Sequence, residues 1–183
     1  AVDESPLQEG LIWVGSDDGL IHLTKDGGAT WENVTPKKMP DWMMINSIDA
    51  SSFDSGTAYI AGTRYKLGDF TPYLYVTDDY GKNWKLITDG IKDEHFTRVL
   101  RSDKVNKNIL YAGTETGMYI SYDRGNSWNE FQKNLPIVPI TDLTIKDNSL
   151  IVATQGRSIW MIDDLTVFPV SYTHLTLPTT YEV

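Results

Sequence analysis

The sequence predicts an all-β fold of repeated four-stranded antiparallel units, and three observations carry that prediction. One eight-residue phrase is written three times, at residues 24–31, 77–84 and 121–128. Each copy has a hydroxyl residue (Thr24, Thr77, Ser121), an Asp two positions on (Asp26, Asp79, Asp123), a Gly two further (Gly28, Gly81, Gly125) and a closing Trp (Trp31, Trp84, Trp128). The tryptophans lie 53 and 44 residues apart, a period that belongs to repeat architectures. The runs between the copies are short, rich in β-branched and aromatic residues and punctuated by Gly, Asp and Asn, with no stretch of helical periodicity.

The repeated phrase has the chemistry of a tight turn between two strands. Its Asp carboxylate accepts hydrogen bonds from N–H groups of its own loop, and the Ser or Thr does so more weakly. The Gly tolerates a positive φ. The Trp opens the following strand and is expected to bury its ring, with the indole N–H finding one acceptor. None of these roles needs a substrate, so the phrase reads as a device of the fold.

Units of about 40–50 residues with four strands are the blades of a β-propeller. With the strands of each blade called a to d, the first blade (about 1–35) is entered late. Its strand a is cut short near 1–5, and b, c and d fall at 11–15, 19–24 and 31–35. The second (36–89) has a to d at 45–51, 57–62, 73–77 and 84–88. The third (90–133) has them at 96–101, 109–113, 117–122 and 128–132. The fourth (134–168) has a, b and c at 140–146, 149–153 and 158–162. Asp163 stands where the repeated Asp belongs, but no Gly or Trp follows it, and strand d is missing. The expectation is a partial β-propeller of about three and a half blades, to be completed by remaining propeller blades of a parent chain.

The phrase resembles the Asp-box, or bacterial neuraminidase repeat, of sialidases, sortilin-type receptors, xyloglucanase-like enzymes and photosystem assembly factors. The wording around it, such as Leu11-Ile12-Trp13-Val14-Gly15-Ser16 and Gly156-Arg157-Ser158-Ile159-Trp160, is most similar to bacterial sortilin-type propeller proteins often labelled glycosyl hydrolases. The resemblance spans about residues 1–168 and implies a secreted, periplasmic or cell-surface location. Beyond it, residues 169–183 do not continue the repeat. The string at 171–179 resembles translated sequencing adapter, the other reading being a genuine short strand and tail, and this segment is set aside.

The composition narrows the partners. A net charge of −9 disfavours a phosphate backbone, so nucleic acid is not expected. No apolar run reaches transmembrane length, and no membrane insertion is expected. Cysteine is absent, which removes disulfides and thiolate metal sites and departs from the cysteine-rich module of animal sortilins. His22, His95 and His174 are far apart and form no metal-ligand spacing; neither metal nor cofactor is expected.

Alternating strand direction divides the loops. The b–c and d–a connections share one face; the a–b connections and the repeated c–d turns share the other. Binding residues sit in irregular loops on a rigid scaffold, which points to the first face. Its candidates are Asp17 and Asp18, then Arg64, Tyr65, Lys66, Asp69 and Phe70 in what reads as the longest loop, then Trp42, Glu115 and Arg157. Trp42 either stacks on a ligand or plugs a gap between blades. Three functions remain open: non-catalytic binding of a protein, peptide or glycan; a share of a glycoside hydrolase, whose two carboxylates must face each other across the scissile bond; and a structural scaffold. No catalytic residue can be assigned from spacing alone, and the Arg cluster and Tyr nucleophile of the sialidase pattern are not matched.

Overall fold

A computed structural model describes residues 1–166 of the 183. It consists of four antiparallel sheets in chain order, a partial β-propeller. The first is β1 (Val2–Glu4), β2 (Ile12–Gly15), β3 (Ile21–Thr24) and β4 (Glu32–Asn33). The second is β5 (Met44–Ala50), β6 (Ala58–Arg64), β7 (Asp69–Thr77) and β8 (Lys85–Leu86). The third is β9 (Thr97–Ser102), β10 (Leu110–Thr114), β11 (Gly117–Ser121) and β12 (Asn129–Glu130). The fourth has three strands, β13 (Ile140–Lys146), β14 (Ser149–Thr154) and β15 (Ile159–Ile162). No helix among the described residues is long and apolar enough to cross a membrane.

The core lies between blades. Because successive side chains point to opposite faces of a strand, each blade offers one apolar set to the blade before it and another to the blade after it. Tyr75, Ala58 and Ile60 of the second blade join Trp13, Ile21 and Leu23 of the first. Its Tyr59, Ala61, Leu74 and Val76 face the other way and join Leu100, Leu110 and Ala112 of the third. Met118 and Ile120 of the third meet Ile140, Leu143 and Val152 of the fourth.

The repeated turns fasten these faces. In all three, the hydroxyl donates to the Asp, and the Asp accepts the N–H and the side chain of the residue four on. For Asp123 these are Ser121 Oγ at 2.8 Å, Ser127 N at 2.9 Å and Ser127 Oγ at 2.7 Å. Asp26 and Asp79 repeat the set with Thr30 and Asn83. The turn then reaches out of its own blade. Trp84 Nε1 donates to Val34 O, and Trp128 Nε1 to Ile87 O, each at 2.7 Å and each on the preceding blade. Gly81 and Gly125 have φ of 79° and 83°, and a Cβ on either would sit 2.6 Å from Val34 or Ile87. Their glycines are required twice, by backbone and by space.

This corrects one expectation. Trp31 is 47% exposed, whereas Trp128 is 4% exposed. The acceptor of each indole belongs to the blade before, and among the described residues no blade precedes the first. Two further readings change. Outer strands expected to run five residues are two residues long, because only two residue pairs join each to its neighbour. The stretch expected as the longest loop is mostly strand: β6 runs on to Arg64 and β7 starts at Asp69, joined by a single 3-10 turn at Tyr65–Leu67 closed by Gly68 at φ 77°. The fourth sheet has strands a, b and c and no strand d among the described residues. The tail at 169–183 lies outside them.

The inner strands carry a polar ladder that the sequence reading missed. Asp3 accepts Ala50 N at 2.7 Å, linking the first two blades, and Asp49 accepts Ser102 N at 2.9 Å, linking the next two. Arg101 holds Ser47, Leu143 O and Asp142, and so spans three blades. Burial pushes the Asp49 carboxyl up, opposed by the charge of Lys104 and by the Ser102 hydrogen bonds.

Candidate functional site

The loop division holds in space. Tyr80 N bonds Gly56 O and Arg124 N bonds Asn108 O, which ties the repeated turns to the a–b connections on one face. On the other, Ile45 N bonds Ser16 O and Glu115 N bonds Phe96 O, which ties the b–c turns to the starts of the inner strands.

That second face holds a cleft of ≈ 240 Å³ between the first two blades, lined by Asp17, Trp42, Met44, Thr63, Arg64, Tyr65, Lys66 and Leu67. Five of the residues proposed from sequence meet there: Asp17, Trp42, Arg64, Tyr65 and Lys66. Trp42 is 68% exposed, so it does not plug a gap. Its φ is 59°, a left-handed conformation that bulky residues avoid. The neighbouring backbone is closely packed: a Cβ on Gly19 would approach Met43 N to 3.0 Å. An indole held out of the core at a backbone cost is a feature of binding surfaces.

The wall beside the cleft is rigid. Arg64 donates to Asp69 at 2.7 Å and to Asp41 O at 3.1 Å, and Tyr73 Oη also donates to Asp69 at 2.9 Å. Burial raises the Asp69 pKa, but hydrogen bonds from Thr71, Tyr73 and Arg64 outweigh it and hold the carboxyl below its ordinary value. Asp69 is therefore a brace. Tyr65 stacks on Phe96 at 5.2 Å and 13°, and Phe70 leans on the same ring at 6.0 Å. The Arg98 guanidinium lies 5.3 Å above Phe96 and 5.7 Å above Tyr65, and pairs with Glu115 at 2.6 Å. The result is an aromatic and guanidinium platform joined to the cleft through Tyr65.

The other proposed residues lie apart. Asp18 accepts from Ser16 Oγ, which lowers its pKa, and belongs to its own turn. Glu115 is part of the platform through Arg98. Arg157 is exposed on the fourth blade, where its carbonyl accepts Trp160 Nε1 at 2.7 Å. Phe96 and Arg98 were not selected from sequence, although their place at the start of an inner strand sets them on the loop face. A larger cavity of ≈ 500 Å³ opens on the opposite face between Phe53, Val105, Ile145 and Leu165. Its wall ends at Thr166, the last described residue, and a further cavity of ≈ 340 Å³ lies between Thr57, Tyr59, Asp78 and Arg124; neither is lined by a residue proposed from sequence, as the cleft at Trp42 is.

Solved structures share this fold at low identity. A chain of YCF48 bound to D1 peptide is 19% identical with a TM-score of 0.61, over 84% of this chain and 51% of that one. The GH74 xyloglucanase from Xanthomonas campestris is 16% identical with a TM-score of 0.65, over 90% of this chain and 29% of that one. A chain of the COPII coat on membranes, at its outer vertex, is 12% identical with a TM-score of 0.69, over 87% and 45%. The chain thus spans from under a third to about half the length of these structures. No curated protein matches it in sequence. The profile of the family described as sortilin, neurotensin receptor 3 (Sortilin-Vps10) matches residues 72–164, half of the chain, and the protein belongs to that family.

Proposed function

We propose that this chain is a non-catalytic binding segment of an Asp-box propeller, which presents the face carrying Trp42 to a protein or peptide. The observation that carries this reading is the strained, exposed Trp42 beside Leu67, Lys66 and the Tyr65–Phe96–Arg98 platform. An exposed indole, a leucine side chain and a lysine ammonium whose partner among the described residues is only the Met44 sulfur suit a peptide that offers an apolar side chain next to a carboxylate. YCF48, which shares the fold, is bound to a peptide. The three repeated turns keep their structural role on the opposite rim, and an extracytoplasmic location follows the Asp-box resemblance. Further blades of a parent propeller complete the ring, in keeping with the larger size of the structural neighbours.

Glycan binding at Trp42 is the second reading, favoured by the same exposed ring and by the GH74 likeness. A hydrolase would need a general acid with a raised pKa. On this face Asp69 is held down, while the carboxylate that burial raises, Asp49, is locked between inner strands. In the hydrolase reading the acid comes from another part of a larger enzyme.

The test is selection from a displayed peptide library alongside titration with xyloglucan oligosaccharide, followed by Trp42→Ala and Tyr65→Ala. Peptide binding lost in both variants supports the proposal. Oligosaccharide binding alone would favour the glycan reading, and binding unaffected by either variant would overturn both.

A further inference from the structure

The face of the repeated turns holds a cavity of its own between the second and third blades. Its volume of ≈ 340 Å³ is that of a small-molecule site. The buried part of its lining is Ser51, Thr57 and Tyr59, each 5% exposed or less. Phe53 and Asp54 line it from the β5–β6 connection of the second blade, and Lys107 from the β9–β10 connection of the third. Asp78 and Arg124, from the second and third repeated turns, complete it.

Arg124 is held there at a backbone cost. Its φ is 60°, at the position of the turn where the first copy has Gly27 at 68°. Its guanidinium donates to Asp78 at 2.5 Å and to the Tyr59 hydroxyl, and Thr57 Oγ1 donates to the same carboxylate at 2.9 Å. The charge of Asp78 is thus balanced within the lining. The buried hydroxyls keep donors to spare. Ser51 Oγ accepts Phe53 N at 3.1 Å and Tyr59 Oη accepts from Arg124, but among the described residues neither hydroxyl hydrogen has an acceptor. Burial raises the Tyr59 pKa against the opposing pull of Arg124, so the phenol keeps its proton.

Two charges of opposite sign remain, one from each blade. Asp54 accepts Gly56 N at 2.8 Å, and among the described residues neither Asp54 nor Lys107 takes part in an ion pair. A simple anion would meet Lys107 but leave Asp54 beside a like charge, and a simple cation would do the reverse at Lys107. A ligand that carries both charges matches both. The Phe53 ring, 41% exposed, supplies an apolar surface next to them.

We propose that this cavity binds a free α-amino acid with an apolar side chain. The carboxylate pairs with Lys107 and takes a hydrogen bond from a lining hydroxyl, the ammonium faces Asp54, and the side chain rests on Phe53. The site lies on the face opposite the Trp42 cleft and does not depend on the function proposed for that cleft.

The probes are L-phenylalanine and L-leucine, with hydrocinnamate, which lacks the ammonium of phenylalanine, and phenethylamine, which lacks its carboxylate. Each is titrated into the full 183-residue chain and followed by ligand-observed NMR and calorimetry. The proposal expects saturable binding of at least one of the two amino acids, with phenylalanine about tenfold or more tighter than either analogue, because each analogue leaves one charge of the lining unmatched. Asp54→Asn keeps the acceptor for Gly56 N and removes the charge, and should erase the preference for phenylalanine over hydrocinnamate. Lys107→Ala, at an exposed position, should weaken phenylalanine and hydrocinnamate alike and spare phenethylamine. Both variants should keep the circular dichroism of wild type, and Trp42→Ala should leave every affinity at this site intact. Hydrocinnamate bound as tightly as phenylalanine would make the cavity an anion site and overturn the proposal. Absence of binding of both amino acids to the folded protein, or binding unchanged in both cavity variants, would overturn it equally.

Discussion

Replacing each repeated Trp by Phe tests the central packing rule, because one substitution is made in three equivalent turns with different surroundings. At Trp128 the change removes the Nε1–H that Ile87 O accepts at 2.7 Å and shrinks a ring that is 4% exposed. An orphaned buried carbonyl costs ~1–3 kcal/mol, and the space left by the smaller ring adds ~1 kcal/mol, for a total of about 2–4 kcal/mol. In a domain of this size that corresponds to a fall in Tm of roughly 5–15 °C. Trp84 makes the same bond to Val34 O but is only partly buried, resting edge-on against Trp13 at 6.0 Å, so its loss should be smaller. Trp31 is 47% exposed with no preceding blade among the described residues, and Trp31→Phe should stay within ~0.5 kcal/mol. Urea denaturation of the three variants gives the ranking directly. If Trp31→Phe costs as much as Trp128→Phe, the tryptophans act within their own turns and the interblade account fails.

Three other outcomes follow from the same contacts. Gly125→Ala must place a Cβ 2.6 Å from Ile87 Cδ1 at a φ of 83°, and should destabilise by about 1–3 kcal/mol in thermal melts. Asp123→Ala removes three hydrogen bonds from a partly exposed turn and should cost about 1–2 kcal/mol in urea, while leaving affinity at the Trp42 cleft nearly unchanged. The turn carboxylates also set a pH dependence. The Thr30 hydroxyl and N–H pull the Asp26 pKa down to about 2, and Asp79 is lowered by Asn83 in the same way. At Asp123 burial raises the pKa, but hydrogen bonds from Ser127 and Ser121 outweigh it and lower it overall. A folded pKa below the unfolded one gives stability that is present above about pH 4 and is lost as pH falls through the folded values. Asp49 has the opposite sign, its raised carboxyl favouring the fold as pH falls. Acid titration of wild type against a variant with all three turn Asp residues replaced by Asn should show a shallower loss in the variant.

The repeat made most of this architecture legible. In the second and third blades strands a, b and c fall close to where alternation and turn residues place them, because b and c are paired on two sides and a is largely buried. The outer strands were overread, since the residues after each Trp look β-prone while only two of them pair. The stretch at 63–72 reads as a long loop because Arg64, Lys66, Gly68 and Asp69 are loop-forming types, whereas Arg64 and Asp69 face each other as a cross-strand ion pair. What stayed illegible was everything that joins one blade to another. The exposure of Trp31, the reach of Arg101 across three blades and the place of Phe96 under Tyr65 depend on pairing between repeats, which the spacing within one repeat does not encode. Strand direction did place the candidate residues on one face, yet only Asp17, Trp42, Arg64, Tyr65 and Lys66 line one cleft.

The measurement that tests the functional account most directly is the affinity of a library-selected peptide for Trp42→Ala and for Asp123→Ala, compared with wild type. The account predicts a loss of about tenfold or more for Trp42→Ala, as expected for removal of a large apolar anchor, and little change for the folded Asp123→Ala protein. Full affinity in Trp42→Ala together with a large loss in Asp123→Ala would place binding on the rim of the repeated turns and contradict it.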